Sequence, residues 1–161
     1  ALLDVLSLAG LYTLRVIGGA VVLGVAVSAW LLAFSMALFL SLALIKRFVE
    51  LAARLDAHLP DSSSRGYRNT DADLVMMLAA ASGFNAVTVF ILYVSNESMT
   101  LLYSTPQILW LAAPILTYWI ARMLMLAHRR VMDDDPVAFA TRDRASMICG
   151  ALIGLVMFAG A

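Results

Sequence analysis

The chain has 161 residues, of which 63% are hydrophobic and only 14% charged, with 11 basic side chains balanced by 11 acidic ones. Soluble domains are roughly half apolar and about a quarter charged, so this composition and a mean hydropathy of +0.90 exclude an ordinary soluble domain and a disordered chain. The zero net charge argues against a nucleic-acid partner.

Long charge-free stretches set the expected elements, since a helix needs about 20 apolar residues to cross the hydrocarbon core. The run from Val16 to Ile45 is too long for one crossing, and Gly18, Gly19, Gly24 and Ser28 interrupt it. Two helices are therefore expected, over 2–22 and 29–45. Three more are expected over 74–96, 107–127 and 145–161. Pro106 suits a helix start, and Pro114 is expected to kink the fourth helix. The expected fold is all-α, a polytopic transmembrane helical bundle with about five spans. Phe48–His58 should continue as a short amphipathic helix, Pro60–Ser64 as a flexible tip, and Asn69, Thr70 or Asp71 as a cap on the third helix.

Five crossings put residues 46–73 and 128–144 on one face of the membrane. Lys46, Arg47, Arg54, Arg65, Arg68, Arg129, Arg130, Arg142 and Arg144 all fall there. On the opposite face Glu97 is the only charge. The positive-inside rule makes the basic face cytoplasmic. The chain begins at Ala1 within one apolar stretch and ends within another. It reads as the C-terminal part of a larger protein, without a signal peptide.

Several residues could carry chemistry. Lys46, Arg47 and Glu50 are spaced to share one helical surface. An adjacent Lys and Arg suit a phosphate or diphosphate, and equally a headgroup anchor. Asp4 and Arg15 lie about three turns apart on one side of the first helix. An Arg within a span points to an anionic group in a cavity, or to an interhelical ion pair. Arg122 is closer to the cytoplasmic end and can snorkel. The cluster from Met132 to Arg144 contains Asp133, Asp134, Asp135 and Asp143. Clustered carboxylates bind Mg²⁺ alongside substrate phosphates, or cap helices. Arg65-Gly66-Tyr67-Arg68 could fold over a polar mouth or stay a solvated loop. Gly150 and Gly154 form a small-residue packing pattern. His58 and His128 have no ligand spacing, and the lone Cys149 permits no internal disulfide.

Taken together, Asp4, the segment Gly10-Leu11-Tyr12-Thr13-Leu14-Arg15-Val16-Ile17-Gly18-Gly19, Lys46-Arg47-Phe48-Val49-Glu50-Leu51, Arg65-Gly66-Tyr67 and Asp135-Pro136-Val137-Ala138-Phe139-Ala140-Thr141-Arg142-Asp143-Arg144 resemble the UbiA-type prenyltransferase superfamily. The nearest branch resembles decaprenyl-phosphate phosphoribosyltransferase and related proteins with a fused phosphatase-like domain. The resemblance covers nearly the whole chain. It implies a larger bundle of which this chain forms the last five helices, in a bacterial inner membrane, with a phosphatase-like domain upstream as a fused or partner unit.

The superfamily has two acidic motifs. The first would lie upstream of these residues, and the second corresponds in position to Lys46–Glu50. There this sequence departs from the aromatic prenyltransferases, whose spaced aspartates are replaced by Lys46 and Arg47. The implied chemistry is Mg²⁺-assisted group transfer on a polyprenyl lipid. The preferred reaction passes a phosphoribosyl group from phosphoribosyl diphosphate to polyprenyl phosphate. The alternatives are prenyl transfer from a prenyl diphosphate to an aromatic acceptor, a transporter fragment, or a structural subunit. The expected substrate contacts are Arg15, Lys46, Arg47, Glu50, Asp4, Tyr67 and Arg68, with Asp135 and Asp143 as metal candidates. This piece alone is expected to be inactive.

Overall fold

A computed structural model of the chain describes residues 2–24, 27–61, 66–96, 105–132 and 135–160. Ser62–Ser64, Arg65, Glu97, Asp133 and Asp134, all singled out above, lie outside the described residues. The described residues form helices, with no strand among them. The elements are α1 (Leu3–Val22), α2 (Ala29–Asp56), a 3-10 turn (Asn69–Asp71) leading into α3 (Ala72–Val94), a second 3-10 stretch (Pro106–Leu111) leading into α4 (Ala112–His128), α5 (Pro136–Arg142) and α6 (Arg144–Gly160). Four of these helical runs are long and apolar enough to cross a membrane, and α5 with α6 make a fifth if the bent pair counts as one span.

The helix ends follow local chemistry. Ser28 caps α2, its Oγ accepting the Leu31 N–H at 3.1 Å. α2 then runs 28 residues without a break. Lys46–Glu50 therefore sits on a continuous helix, and the expected amphipathic segment is its last part. α2 and α4 end alike. Leu59 N–H reaches back to the Arg54 carbonyl and Val131 N–H to that of Leu126, closing Schellman motifs with His58 (φ 52) and Arg130 (φ 60) in the left-handed conformation.

Two expectations are corrected. Pro114 does not kink the middle of α4, because it lies in the first turn. Pro114 has no N–H to donate to the Trp110 carbonyl, and the residues before it wind as 3-10 helix instead. The stretch 128–144 also contains a helix of its own. Asp135 caps α5 through Val137 N–H (2.9 Å), and extended backbone at Asp143 (ψ 119) bends α5 from α6 by 83°.

α2 is the hub, packing most extensively on α3 and also on α1, α4 and α5. Small residues let α2 and α3 approach closely. Ser41 Oγ donates to the Ala79 carbonyl and Ser82 Oγ to that of Ala37, both at 2.7 Å. A Cβ on Gly83 would stand 2.7 Å from Ile120 Cγ2 and 2.8 Å from Ser41 Oγ. By contrast Gly150 and Gly154 have open space around them. The larger core cluster, including Val5, Ile45, Phe48, Met123 and Ala127, fills the end of the bundle where α1 begins and α2 and α4 finish. Large apolar side chains such as Val22, Leu155 and Phe158 project outward, 85%, 66% and 86% exposed, the reverse of a soluble surface.

Charge separates by end. Asp4 at the start of α1 meets Arg47 near the end of α2, and Asp56 meets Arg130 just past α4 at 2.8 Å. Lys46, Arg47, Arg54, Arg68, Arg129, Arg130, Arg142 and Arg144 thus gather at one end. At the other, Thr105 N–H reaches the Gly160 carbonyl at 3.3 Å. Among the described residues there, 22–30, 94–96 and 105–111 contain no charge.

Candidate functional site: a hollow between α1, α2 and α5

Successive residues on a helix point about 100° apart, and this divides Lys46 from Arg47. Arg47 turns toward α1 and the 66–68 segment. Its guanidinium pairs with Asp4 and with Glu50, and its side chain is 11% exposed. It also lies over the Tyr67 ring, 5.2 Å from the centroid, within the roughly 6 Å reach of a cation–π contact. The Tyr67 hydroxyl donates to Asp4 Oδ1 at 2.9 Å and accepts the Leu2 N–H at 2.7 Å. Burial pushes the Tyr67 hydroxyl above the usual tyrosine range, and its bond to Asp4 pushes in the same direction. Four of the expected contacts, Asp4, Arg47, Glu50 and Tyr67, thus come together in one network that joins α1, α2 and the chain entering α3. Their charges are largely satisfied by one another.

Lys46 turns the other way. It borders a shallow hollow open to solvent, with Leu8 and Tyr12 of α1, Phe39 and Leu42 of α2, and Asp135 at the start of α5 on its walls. Tyr12 and Phe39 stack at 5.2 Å between ring centroids, giving the hollow an aromatic floor. Lys46 Nζ lies 3.8 Å from Asp135 Oδ2, with the two side chains 35% and 41% exposed. This is a loose pair, open to exchange with a stronger anion.

Arg15 stands behind the floor. Its guanidinium lies 5.1 Å from the Tyr12 ring centroid. It has no carboxylate partner among the described residues. α1 and α2 are antiparallel, with Asp4 beside Arg47, Tyr12 beside Phe39 and Thr13 beside Met36. Helical side chains lean toward their own N-terminus. Arg15 therefore leans down toward the basic end and Lys46 leans up into the bundle, but Arg15 is exposed on α1 and does not line the hollow that Lys46 borders.

Arg68 stays outside this group. It is exposed, and its backbone N–H bonds to Asp71 Oδ2 at 2.9 Å. The two carboxylates named as metal candidates are each engaged within the protein. Asp135 Oδ1 accepts the Val137 and Ala138 N–H groups, at 2.9 and 3.4 Å, while Oδ2 faces Lys46. Asp143 takes a two-pronged contact from Arg122 (2.6 and 3.1 Å) and caps α6 through Ser146 N–H and Oγ, both at 2.8 Å. The two acids sit at opposite ends of α5, too far apart to share an ion whose ligands lie at about 2.1 Å. Among the described residues, no three His, Cys, Asp or Glu side chains converge for a metal.

Sequence reasoning missed Phe39 and the role of Tyr12. Tyr12 lies one turn before Arg15 and could have been read as its platform. Phe39 carries no such signal, because its partner is on another helix.

Comparison with known proteins finds relatives of similar sequence. Uncharacterized protein y4nM of Sinorhizobium fredii is 38% identical over 154 residues, spanning 95% of this chain and 30% of that protein. Nodulation protein NoeC of Azorhizobium caulinodans is 35% identical over 159 residues, spanning 96% of this chain and 51% of that protein. The chain therefore spans about a third to a half of the length of these curated relatives. No protein-family model and no solved structure matches it.

Proposed function

We propose that the chain is part of an integral membrane transferase of the UbiA type that acts on a polyprenyl lipid, with its basic end in the cytoplasm. The preferred reaction is phosphoribosyl transfer from phosphoribosyl diphosphate to polyprenyl phosphate. The observation that carries this reading is the Lys46 ammonium, which faces an aromatic-floored hollow between helices and, among the described residues, pairs loosely with Asp135.

Outward apolar faces support a lipid surrounding, and the one-sided distribution of basic residues supports the orientation. In the reaction, the bond between ribose C1 and the diphosphate breaks, and an oxygen of the lipid phosphate forms the new bond to C1. Diphosphate leaves. Lys46 stabilises the charge that collects on it as the bond breaks. Arg47, bound to Asp4, Glu50 and Tyr67, positions α1 against α2 so that Tyr12 and Lys46 border the same space.

The test uses membranes containing the complete protein, labelled phosphoribosyl diphosphate, Mg²⁺ and polyprenyl phosphate. Label should move into the organic-extractable fraction. Label that stays water-soluble would refute the phosphoribosyl reading.

A further inference from the structure

One carboxylate at the edge of the hollow has two tasks. Asp135 Oδ1 accepts the Val137 N–H at 2.9 Å and the Ala138 N–H at 3.4 Å, and so caps α5. Asp135 Oδ2 lies 3.8 Å from Lys46 Nζ. With Oδ1 held in the cap, the planar group fixes where Oδ2 points. Among the described residues that line the hollow, Lys46 and Asp135 are the charged pair. Their formal charges cancel, so the hollow offers an entering anion little net attraction while the carboxylate stays.

The rest of α5 is held by other contacts. Phe139 and Ala140 pack on the core of the bundle. At its far end Arg122 grips Asp143, which caps α6. The first turn is the part tied to Lys46, with Asp135, Pro136 and Val137 on the wall of the hollow. Breaking that tie therefore acts on the first turn and leaves the far end in place.

We propose that Asp135 is an autoinhibitory occupant of the Lys46 site. An anion entering the hollow displaces the carboxylate from the ammonium, and the first turn of α5 loosens as it loses its cap. Asp135 thus keeps the affinity of the hollow below what Lys46 would give without it, and α5 responds to whether the hollow is filled. This rests on the reading of the hollow as a diphosphate site and adds its regulation.

The experiment uses the purified complete protein in detergent at a fixed Mg²⁺ concentration. Calorimetry measures binding of inorganic diphosphate, and mass spectrometry follows hydrogen exchange of residues 136–142 with and without it. Asparagine caps a helix about as well as aspartate and carries no charge. Asp135→Asn should therefore bind diphosphate about fivefold more tightly, the scale of one exposed ion pair removed from the competition. Asp135→Ser, which also supplies a cap, should tighten binding as well, so the result does not depend on one variant folding. In wild type, diphosphate should speed exchange at the start of α5. In Asp135→Asn it should leave exchange there unchanged. Lys46→Gln should abolish both binding and the exchange response.

Weaker binding in both uncharged variants would overturn the proposal, because it would make the carboxylate a contact for the ligand or its metal. Equal affinity in wild type and Asp135→Asn, lost in Lys46→Gln, would overturn it too and leave the hollow as an anion site. So would exchange in wild type that ignores diphosphate, since the cap would then survive binding. Diphosphate bound by neither wild type nor any variant would remove the anion site itself and the proposal with it. Tighter binding in Asp135→Asn without phosphoribosyl transfer in wild-type membranes would sink the transferase reading alone.

Discussion

Arg47 joins Asp4, 43 residues earlier in the chain, in an ion pair that ties the start of α1 to the basic end of α2. Glu50 holds the same guanidinium from one turn along α2, and Tyr67 covers its face. Removing one member of such a group leaves the others poorly solvated. Arg47→Ala should lower stability by about 2–3 kcal/mol, less than for a fully buried pair because Asp4 and Glu50 are partly exposed. In detergent this corresponds to an apparent Tm lower by about 5–10 °C. Arg47→Lys should recover little, because an ammonium cannot span both carboxylates as the fork does. An unchanged melting curve for Arg47→Ala would show that the network contributes nothing to holding α1.

Tyr67 gives the network a pH signature. Burial and the bond to Asp4 hold its hydroxyl proton beyond the usual tyrosine value near 10. Between that value and the folded one, the unfolded state has lost the proton and the folded state retains it. Stability from this group is complete below the unfolded value and falls as pH rises through the folded one. Wild type should therefore lose stability more steeply than Tyr67→Phe above about pH 10, followed by thermal melts at stepped pH. Parallel slopes for the two proteins would show that Tyr67 ionises as in the unfolded chain.

Gly83 sits where α2, α3 and α4 approach one another closely. Gly83→Ala should destabilise by about 1–3 kcal/mol, because its Cβ would fall against Ile120 and Ser41. Ile120→Ala removes the clashing methyl, so the double variant should lose less than the two single losses added together. Strict additivity would place the cost of Gly83→Ala elsewhere.

His58 has the opposite sign. It closes α2 in the left-handed conformation and is exposed, with no side-chain partner among the described residues. Glycine adopts that conformation without strain. His58→Gly should raise stability by about 0.5–1 kcal/mol, read as a higher melting temperature. A drop would mean that the imidazole makes a contribution larger than the backbone strain.

Helices and charge sidedness were legible in the sequence because lipid imposes both, through apolar length and basic loops. The division of Lys46 from Arg47 was less visible. Their adjacency reads as one phosphate clamp until the helix is known to continue past Ile45, which sends one side chain to the network and the other to the hollow. α5 was hidden for a different reason. At seven residues it has little periodicity to read, and the acidic cluster around it points to metal as readily as to capping. Only the partners of Asp135 and Asp143 separate those meanings. Phe39 was invisible because its stack with Tyr12 depends on the register of two antiparallel helices.

The most direct measurement compares Lys46→Ala with Arg129→Ala in the phosphoribosyl transfer assay on membranes, at matched protein levels. Both residues lie at the basic end, but Lys46 borders the hollow while Arg129 is exposed at the end of α4. Lys46→Ala should lose about a hundredfold or more in kcat/KM, the scale for removing a charge that stabilises a leaving group, and Arg129→Ala should stay close to wild type. Equal losses in the two variants would contradict the assignment of the hollow as the diphosphate site.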